Sequence, residues 1–210
     1  MLSEQALRVI DTFFSSEPDA VRDGPDVEGL LRLAPEERAE AEEVLLHRLS
    51  PVDSRPATGL AALGCRRAAP LLQMLMEDAA RGAGGTGGMF LANISAAMWR
   101  LEGSPEAAGH LRLLLGCSPY TVIRARAAQE LSRVREPASV HALFAALVDQ
   151  DMFVRLSAAR SLTEMHGLAA EGHGLHPAVV RVAQADGPRA RSDAARELRA
   201  IVEAAGMVAK

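Results

Sequence analysis

The stretch Tyr120–Val134, YTVIRARAAQELSRV, decides the fold because a close copy of it follows along the chain. Asp151–Met165, DMFVRLSAARSLTEM, repeats its apolar-Arg pair, its Ala-Ala pair and its Leu at a distance of 31 residues. A third copy, 36 residues further on, has the same three features at Ala190-Arg191, Ala194-Ala195 and Leu198. Self-similarity at this period is typical of repeat proteins, whose units stack along the chain.

The apolar positions of the second copy have the spacing of an α-helix. Positions i, i+4, i+8 and i+11 form one stripe along a helix, and here they are Val154, Ala158, Leu162 and Met165. The small side chains of Ala158 and Ala159 allow a neighbouring helix to approach closely. Because such a helix cannot bury its stripe alone, the pattern predicts that helix pairs stack against one another.

The composition also indicates an all-α chain. Apolar residues make up 49% of the 210 residues and aromatic residues only 3%, so Leu, Ala and Val must fill the core. No stretch alternates apolar and polar residues for long enough to indicate a strand. The length suits one domain, and we predict a single domain over residues 1–210.

Outward from the repeat, the sequence predicts five helix pairs and an N-terminal cap. Several prolines fall near the predicted helix starts, where the N–H that a proline lacks would be unpaired anyway. Residues 3–16 and 27–33 are predicted to form a cap, 1–34, that covers the apolar end of the repeats, 35–210. The predicted pairs are 35–49 with 54–63, 66–80 with 89–101, 105–115 with 119–133, 137–148 with 151–165, and 176–185 with 188–204.

The apolar-Arg, Ala-Ala and Leu pattern follows a predicted first helix such as PASVHALFAALVDQD at Pro137–Asp151. This combination resembles the HEAT-repeat and phycobilisome-lyase HEAT-like repeat families, clearly over residues 105–164 and weakly before Gly88. The resemblance implies an α-solenoid of about five HEAT-like helix pairs with an N-terminal capping helix. It also implies that a turn Asp faces an Arg of the second helix, and Asp149 and Arg155 match that pair.

The resemblance is incomplete at the two neighbouring repeats. Ser118 takes the place of the turn Asp before Arg124, and Asp186 lies one residue out of register before Arg191. We call the row of turn Asp and second-helix Arg pairs along the repeats the Asp-to-Arg ladder. The resemblance implies a complete pair at Arg155 and partial pairs at Arg124 and Arg191.

The second helices of such a stack line one face, by convention the concave one, and this face is the expected binding surface. Polar positions beside the Ala-Ala pair lie off the apolar stripe and are predicted to be exposed there. They are rich in Arg and mixed in charge, which suits a wet protein interface with Arg anchors. This second-helix ridge comprises Asn93, Arg100, Arg126, Gln129, Glu130, Arg133, Arg160, Ser161, Glu164, Arg196 and Glu197.

Two glycine-rich segments carry residues with potential chemistry. Arg81–Gly88 contains a GxGxxG pattern, but it follows a predicted helix rather than a strand, so a connecting loop is favoured over phosphate binding. His166–His176 holds three histidines and a glutamate that would suit a transition metal if the segment folded back on itself. Its glycines favour an ordinary loop between repeats, and we predict neither a metal nor a cofactor.

Several other function classes do not fit the residues. No His is followed by Glu, the dipeptide that the HEAT-like di-iron hydroxylases use. The HEAT-like DNA glycosylases need a basic, aromatic-lined face, whereas this chain has one Trp, one Tyr and a net charge of −4. No Ser-His-Asp or Cys-His arrangement can be identified, so we predict no enzymatic activity and no nucleic-acid partner.

The N-terminal residues bear on the location of the protein. Glu4, Arg8 and Asp11 interrupt the first apolar segment, so neither a signal peptide nor a membrane span is expected there. The sequence thus predicts a non-enzymatic cytoplasmic module that binds a protein partner, as an adaptor, an inhibitor or an immunity protein. The alternative, a lyase-like subunit that acts on a chromophore-bearing protein, stays open.

Overall fold

The computed structural model describes residues 3–15, 25–82, 87–168 and 174–208. These residues form twelve α-helices and one 3-10 helix, Arg66–Ala68, and contain no β-strand. The predicted all-α class is therefore confirmed for the described part of the chain. The helices are α1 Glu4–Phe13, α2 Val27–Arg32, α3 Pro35–His47, α4 Arg55–Leu63, α5 Ala69–Arg81, α6 Gly87–Glu102, α7 Pro105–Cys117, α8 Thr121–Leu131, α9 Pro137–Ala146, α10 Met152–Met165, α11 Pro177–Gln184 and α12 Gly187–Val208.

The predicted helix bounds agree with the observed ones to within a few residues. The largest difference is at the end of α12, which continues four residues beyond the predicted 204. Pro35, Pro137 and Pro177 each begin a helix, as expected for a residue that lacks an N–H. The segment predicted as a helix from 66 to 80 begins as the 3-10 helix and continues as α5.

The chain divides into two compact units, Met1–Ala107 and Ala108–Lys210. In the first unit, α1 buries Ala6, Ile10 and Phe13 and packs against α2 and α3. The hydroxyl of Ser3 caps α1 by accepting a hydrogen bond from the N–H of Ala6 at 3.1 Å. The segment predicted to form an N-terminal cap thus buries part of its apolar stripe within this unit, whereas Leu7 stays 49% exposed.

Gly59 of α4 lies where three buried side chains of the first unit converge. A Cβ at this position would lie 2.9 Å from Cζ of Phe13 and 3.0 and 3.1 Å from Cδ1 of Leu45 and Leu30. Because these atoms belong to α1, α3 and α2, glycine lets α4 pack close to all three helices. We expect Gly59→Ala to lower the free energy of unfolding by about 1–3 kcal/mol through overpacking, despite the better helix propensity of Ala.

Urea unfolding followed by circular dichroism measures this loss, and Gly116→Ala is the matched control. Gly116 lies in α7 with no other atom near its Cβ position, so this change is expected to stabilise the protein by up to about 1 kcal/mol. Equal effects of the two substitutions would contradict the packing argument.

In the second unit, α10 packs closely against both α8 and α11. Both Ala-Ala pairs of the repeat, Ala127-Ala128 and Ala158-Ala159, are fully buried. The hydroxyl of Ser161 donates to the carbonyl of Ala128 at 2.8 Å, which shows how closely α8 and α10 approach. The predicted packing along the alanine seam is confirmed for these two copies.

The third copy of the repeat is buried less than its sequence suggests. Leu198 is buried, but Ala190 is exposed and Ala194 and Ala195 are only half-buried. The short helix α11 packs on α10, whereas α12 packs mainly on α11 and much less on α10. No described helix follows α12 to cover its alanines, so the third copy does not reproduce the seam of the first two.

Candidate functional site

Five residues of the predicted second-helix ridge lie together on α8, on α10 and in the turn that follows α8. Gln129 on α8 is exposed, and Arg126 on the same helix is half-buried. Arg133 in the turn is exposed, as are Arg160 and Glu164 on α10. Because α8 and α10 pack against each other, these side chains belong to neighbouring helices of one unit.

Glu130 was predicted to be exposed on the ridge, and this prediction is wrong. Only 4% of the residue is exposed, and its carboxylate pairs with one arginine of α8 and one in the turn after it. Arg126 Nη2 lies 2.9 Å from Oε1 of Glu130, and Arg133 Nη1 lies 3.2 Å from Oε2. The buried carboxylate is neutralised by these guanidinium groups, which it holds in place at the edge of the ridge.

Ser161 was also predicted to be exposed and is buried instead. Its hydroxyl donates to a carbonyl of α8, so this position belongs to the contact between α8 and α10. The incorrect prediction for Ser161 has a structural cause: the close approach of the two helices covers a position that a single helix would leave in solvent.

Arg160 differs from the arginines around Glu130 because its ion pair is weak. Arg160 Nη2 lies 3.8 Å from Oε1 of Glu164, and more than half of each side chain is exposed. An exposed pair one helical turn apart contributes only about 0.3–0.5 kcal/mol. Arg160 can therefore exchange Glu164 for the carboxylate of a partner at little cost.

The remaining ridge residues lie elsewhere. Asn93 and Arg100 belong to α6 in the first unit, where Asn93 Nδ2 donates to Oγ of Ser54 at 2.9 Å. Arg196 is exposed on α12 and pairs with Asp193 of the same helix. The structure thus brings together the α8 and α10 part of the predicted ridge.

The Asp-to-Arg ladder differs from the expected one in its partners. The prediction that Asp149 faces Arg155 with its carboxylate is wrong. Asp149 pairs with Arg124 of the preceding repeat, with Nε to Oδ2 and Nη2 to Oδ1 both at 3.0 Å. Arg124 Nη1 also donates to the carbonyl of Ser118 at 3.0 Å, so a backbone oxygen stands where the family pattern has an Asp.

Arg155 donates only to backbone carbonyls among the described residues. Only 4% of the residue is exposed, and burial, followed by the charge of nearby Arg191, lowers the pKa of its guanidinium. The acceptors lie in the turn before α10 and at the end of α11. They are the carbonyls of Asp149 at 2.9 Å, Gln150 at 3.1 Å, Val182 at 3.0 Å, Ala183 at 2.6 Å and Ala185 at 3.1 Å.

The third step of the ladder does not form among the described residues. Nε of Arg191 is buried without a hydrogen-bond partner there, and Asp186 accepts from the N–H of Gly187 at 2.9 Å.

The start of α10 is capped by Asp151, whose carboxylate accepts hydrogen bonds from the N–H of Phe153 at 2.8 Å and from the hydroxyl of Thr121 at 3.1 Å. Burial raises the pKa of Asp151, but these hydrogen bonds outweigh it and leave the pKa below its ordinary value.

Sequence reasoning missed a surface groove between α9 and α12 of the second unit. Its larger part has a volume of about 420 Å³, and its smaller part, about 290 Å³, shares Phe144 and Arg199 with it. Phe144 in a chain with 3% aromatic residues was the one available signal. The other lining residues are Arg135, Pro137, Val140, His141, Ala145, Val148, Ser192, Ala195, Arg196 and Glu203.

The two glycine-rich segments lie partly outside the described residues, which omit 83–86 and 169–173. Of the flanking histidines, Nδ1 of His166 lies 2.8 Å from the carbonyl oxygen of Leu162, and Nδ1 of His176 accepts from the N–H of Ala178 at 3.2 Å. Over the described ranges, no three His, Cys, Asp or Glu side chains are grouped so that they could hold a metal ion.

No helix in the described ranges is both long and apolar enough to cross a membrane.

Comparison with known proteins gives no relative of this chain. No protein-family model, curated protein or solved structure matches it.

Proposed function

We propose that this chain is a non-enzymatic HEAT-like repeat module that binds a protein partner through the second-helix ridge of α8 and α10. The helix pairs are the repeats of an α-solenoid in this proposal, and the protein works in the cytoplasm as an adaptor or inhibitor. The repeat pattern, the buried alanine seam and the exposed polar positions beside it support this function.

The observation that carries the proposal is the arrangement of charge around Glu130. Its buried carboxylate holds Arg126 and Arg133, while Arg160 on the adjacent helix keeps only a weak exposed pair. Arginines that are already ordered lose less side-chain entropy when a partner binds. Arg is also enriched among residues that dominate binding energies.

A new negative charge at Gln129, together with charge reversal at Arg160, tests the ridge without replacing Glu130. We expect the double variant Gln129→Glu/Arg160→Glu to weaken partner binding at least tenfold, about 1.4 kcal/mol, because two negative charges replace a neutral and a positive donor. The partner is first captured from cells that produce the protein and identified by mass spectrometry. Its dissociation constant with each purified variant is then measured by calorimetry.

Gln5→Glu/Arg32→Glu is the matched control because it makes the same chemical change in the first unit. Gln5 and Arg32 are exposed, and Arg32 pairs with Glu28 one turn away, as Arg160 does with Glu164. The dissociation constant of this control variant for the partner should stay within twofold of the value for the unmodified protein. Unchanged binding by the folded ridge variant would place the interface elsewhere, and recovery of no protein partner would refute the module function. Transfer of a tetrapyrrole to the captured partner would favour the lyase-like alternative.

A further inference from the structure

The groove between α9 and α12 has an apolar floor that is open to solvent. Phe144 of α9 and Val148 just after this helix contribute to the floor, and Ala195 of α12 lines it with them. Phe144 is half-buried and Val148 is 45% exposed, so both retain surface that a ligand can cover. A concave, mostly apolar surface with a few polar groups at its edge is the usual form of a peptide-binding groove.

The charges around this floor are mainly positive. Arg135, Arg196 and Arg199 line the groove together with a single carboxylate, Glu203. Arg196 has a carboxylate partner in Asp193, but neither Arg135 nor Arg199 forms an ion pair with any described residue. The groove therefore has an excess of positive charge that a negatively charged ligand would neutralise.

The position of Arg199 leaves its hydrogen-bond donors available. Its guanidinium carbon lies over the Phe144 ring, 4.7 Å from the ring centre, in a cation–π contact. The N–H donors of a guanidinium point outward in its plane and match the two oxygens of a carboxylate. An apolar surface and a carboxylate-binding edge thus lie side by side.

We propose that this groove binds an acidic segment of a partner protein, with an apolar side chain on Phe144 and carboxylates at Arg135 and Arg199. Glu203 disfavours a nucleic acid, whose backbone would place phosphates along the whole groove. A few hundred Å³ accommodates a few side chains of a peptide. The proposal does not depend on the α8 and α10 part of the second-helix ridge, because Arg196 of α12 is the one residue of the predicted ridge that lines the groove.

Selection from a phage library of random 12-residue peptides tests the proposal. The full chain serves as bait, and Arg135→Glu/Arg199→Glu serves for counter-selection. Enriched peptides should carry a net negative charge and at least one large apolar residue. A synthetic enriched peptide should bind the counter-selection variant at least tenfold more weakly by fluorescence anisotropy, and Phe144→Ala should also weaken its binding.

The matched control is Arg181→Glu/Arg189→Glu, which reverses two exposed arginines of the same unit that lie outside both the groove and the ridge. The dissociation constant of this control for the peptide should stay within twofold of the value for the unmodified chain. Circular dichroism should show that all variants fold. The proposal is overturned if enriched peptides are neutral or basic, if none is enriched, or if the groove variant binds them equally well. Specific binding of single-stranded poly-uridine at Arg135 and Arg199, or a dimer that Arg135→Glu/Arg199→Glu dissociates, would assign the groove to another occupant.

Discussion

Replacement of Arg155 by alanine is expected to lower the free energy of unfolding by about 3–5 kcal/mol. This side chain is buried, and its guanidinium donates to five backbone carbonyls. Removal of the side chain leaves these acceptors without their donors and also leaves a cavity. Three of the acceptors lie at the end of α11, so this helix should lose much of its attachment to α10.

Urea unfolding followed by circular dichroism measures the loss, and Arg155→Lys separates charge from geometry. Lysine retains the positive charge but has three donors on one nitrogen, whereas Arg155 uses three nitrogens in a planar fork. We therefore expect Arg155→Lys to recover less than half of the lost stability. Arg160 is an exposed arginine of the same helix, so Arg160→Ala should change the free energy of unfolding by no more than about 0.5 kcal/mol. A loss below about 1 kcal/mol in Arg155→Ala would show that water replaces the guanidinium.

Replacement of Asp149 by alanine is expected to lower the free energy of unfolding by about 3 kcal/mol, because it leaves the Arg124 guanidinium buried without its carboxylate partner. The side chains of Arg124 and Asp149 are only 10% and 17% exposed, and two hydrogen bonds of 3.0 Å join them. Asp149 Oδ1 also accepts from the N–H of Asp151 at 2.8 Å, so the turn before α10 loses a second contact. Asp149→Asn retains the shape of the side chain and should cost less than Asp149→Ala.

The double variant Arg124→Met/Asp149→Leu tests whether the cost arises from an uncompensated charge. Because it replaces both partners with apolar side chains of similar size, it should be more stable than either Arg124→Met or Asp149→Leu. The coupling energy is obtained from the unfolding free energies of the three variants and the unmodified protein. Additive losses would mean that the two residues act independently, contrary to the observed ion pair.

The helices were largely predictable because their signals lie within short stretches of sequence. The stripe of Val154, Ala158 and Leu162 and the prolines at helix starts depend on local geometry alone. The buried alanines of α8 and α10 followed from the same argument, since small side chains are needed where two helices approach closely.

The candidate site was predictable only in part because exposure depends on neighbouring helices. The periodicity of one helix placed Glu130 and Ser161 off the apolar stripe, yet both are buried. The third copy shows the converse, since Ala194 and Ala195 match the pattern but lack a helix that covers them fully. The groove beside Phe144 involves α9 and α12, which are far apart along the chain, and no local pattern relates them.

The sequence by itself determined that this chain forms paired helices, where these helices begin and end to within a few residues, and which alanines line the seam between α8 and α10. These properties follow from interactions among residues a few positions apart. Only the tertiary structure decided that Asp149 pairs with Arg124, that Arg155 binds the backbone, and that α9 and α12 enclose a groove. Apart from the bonds of Arg155 to the carbonyls of Asp149 and Gln150, these contacts join residues 25 or more positions apart along the chain. The partner of each side chain is therefore decided mainly by how the helices pack.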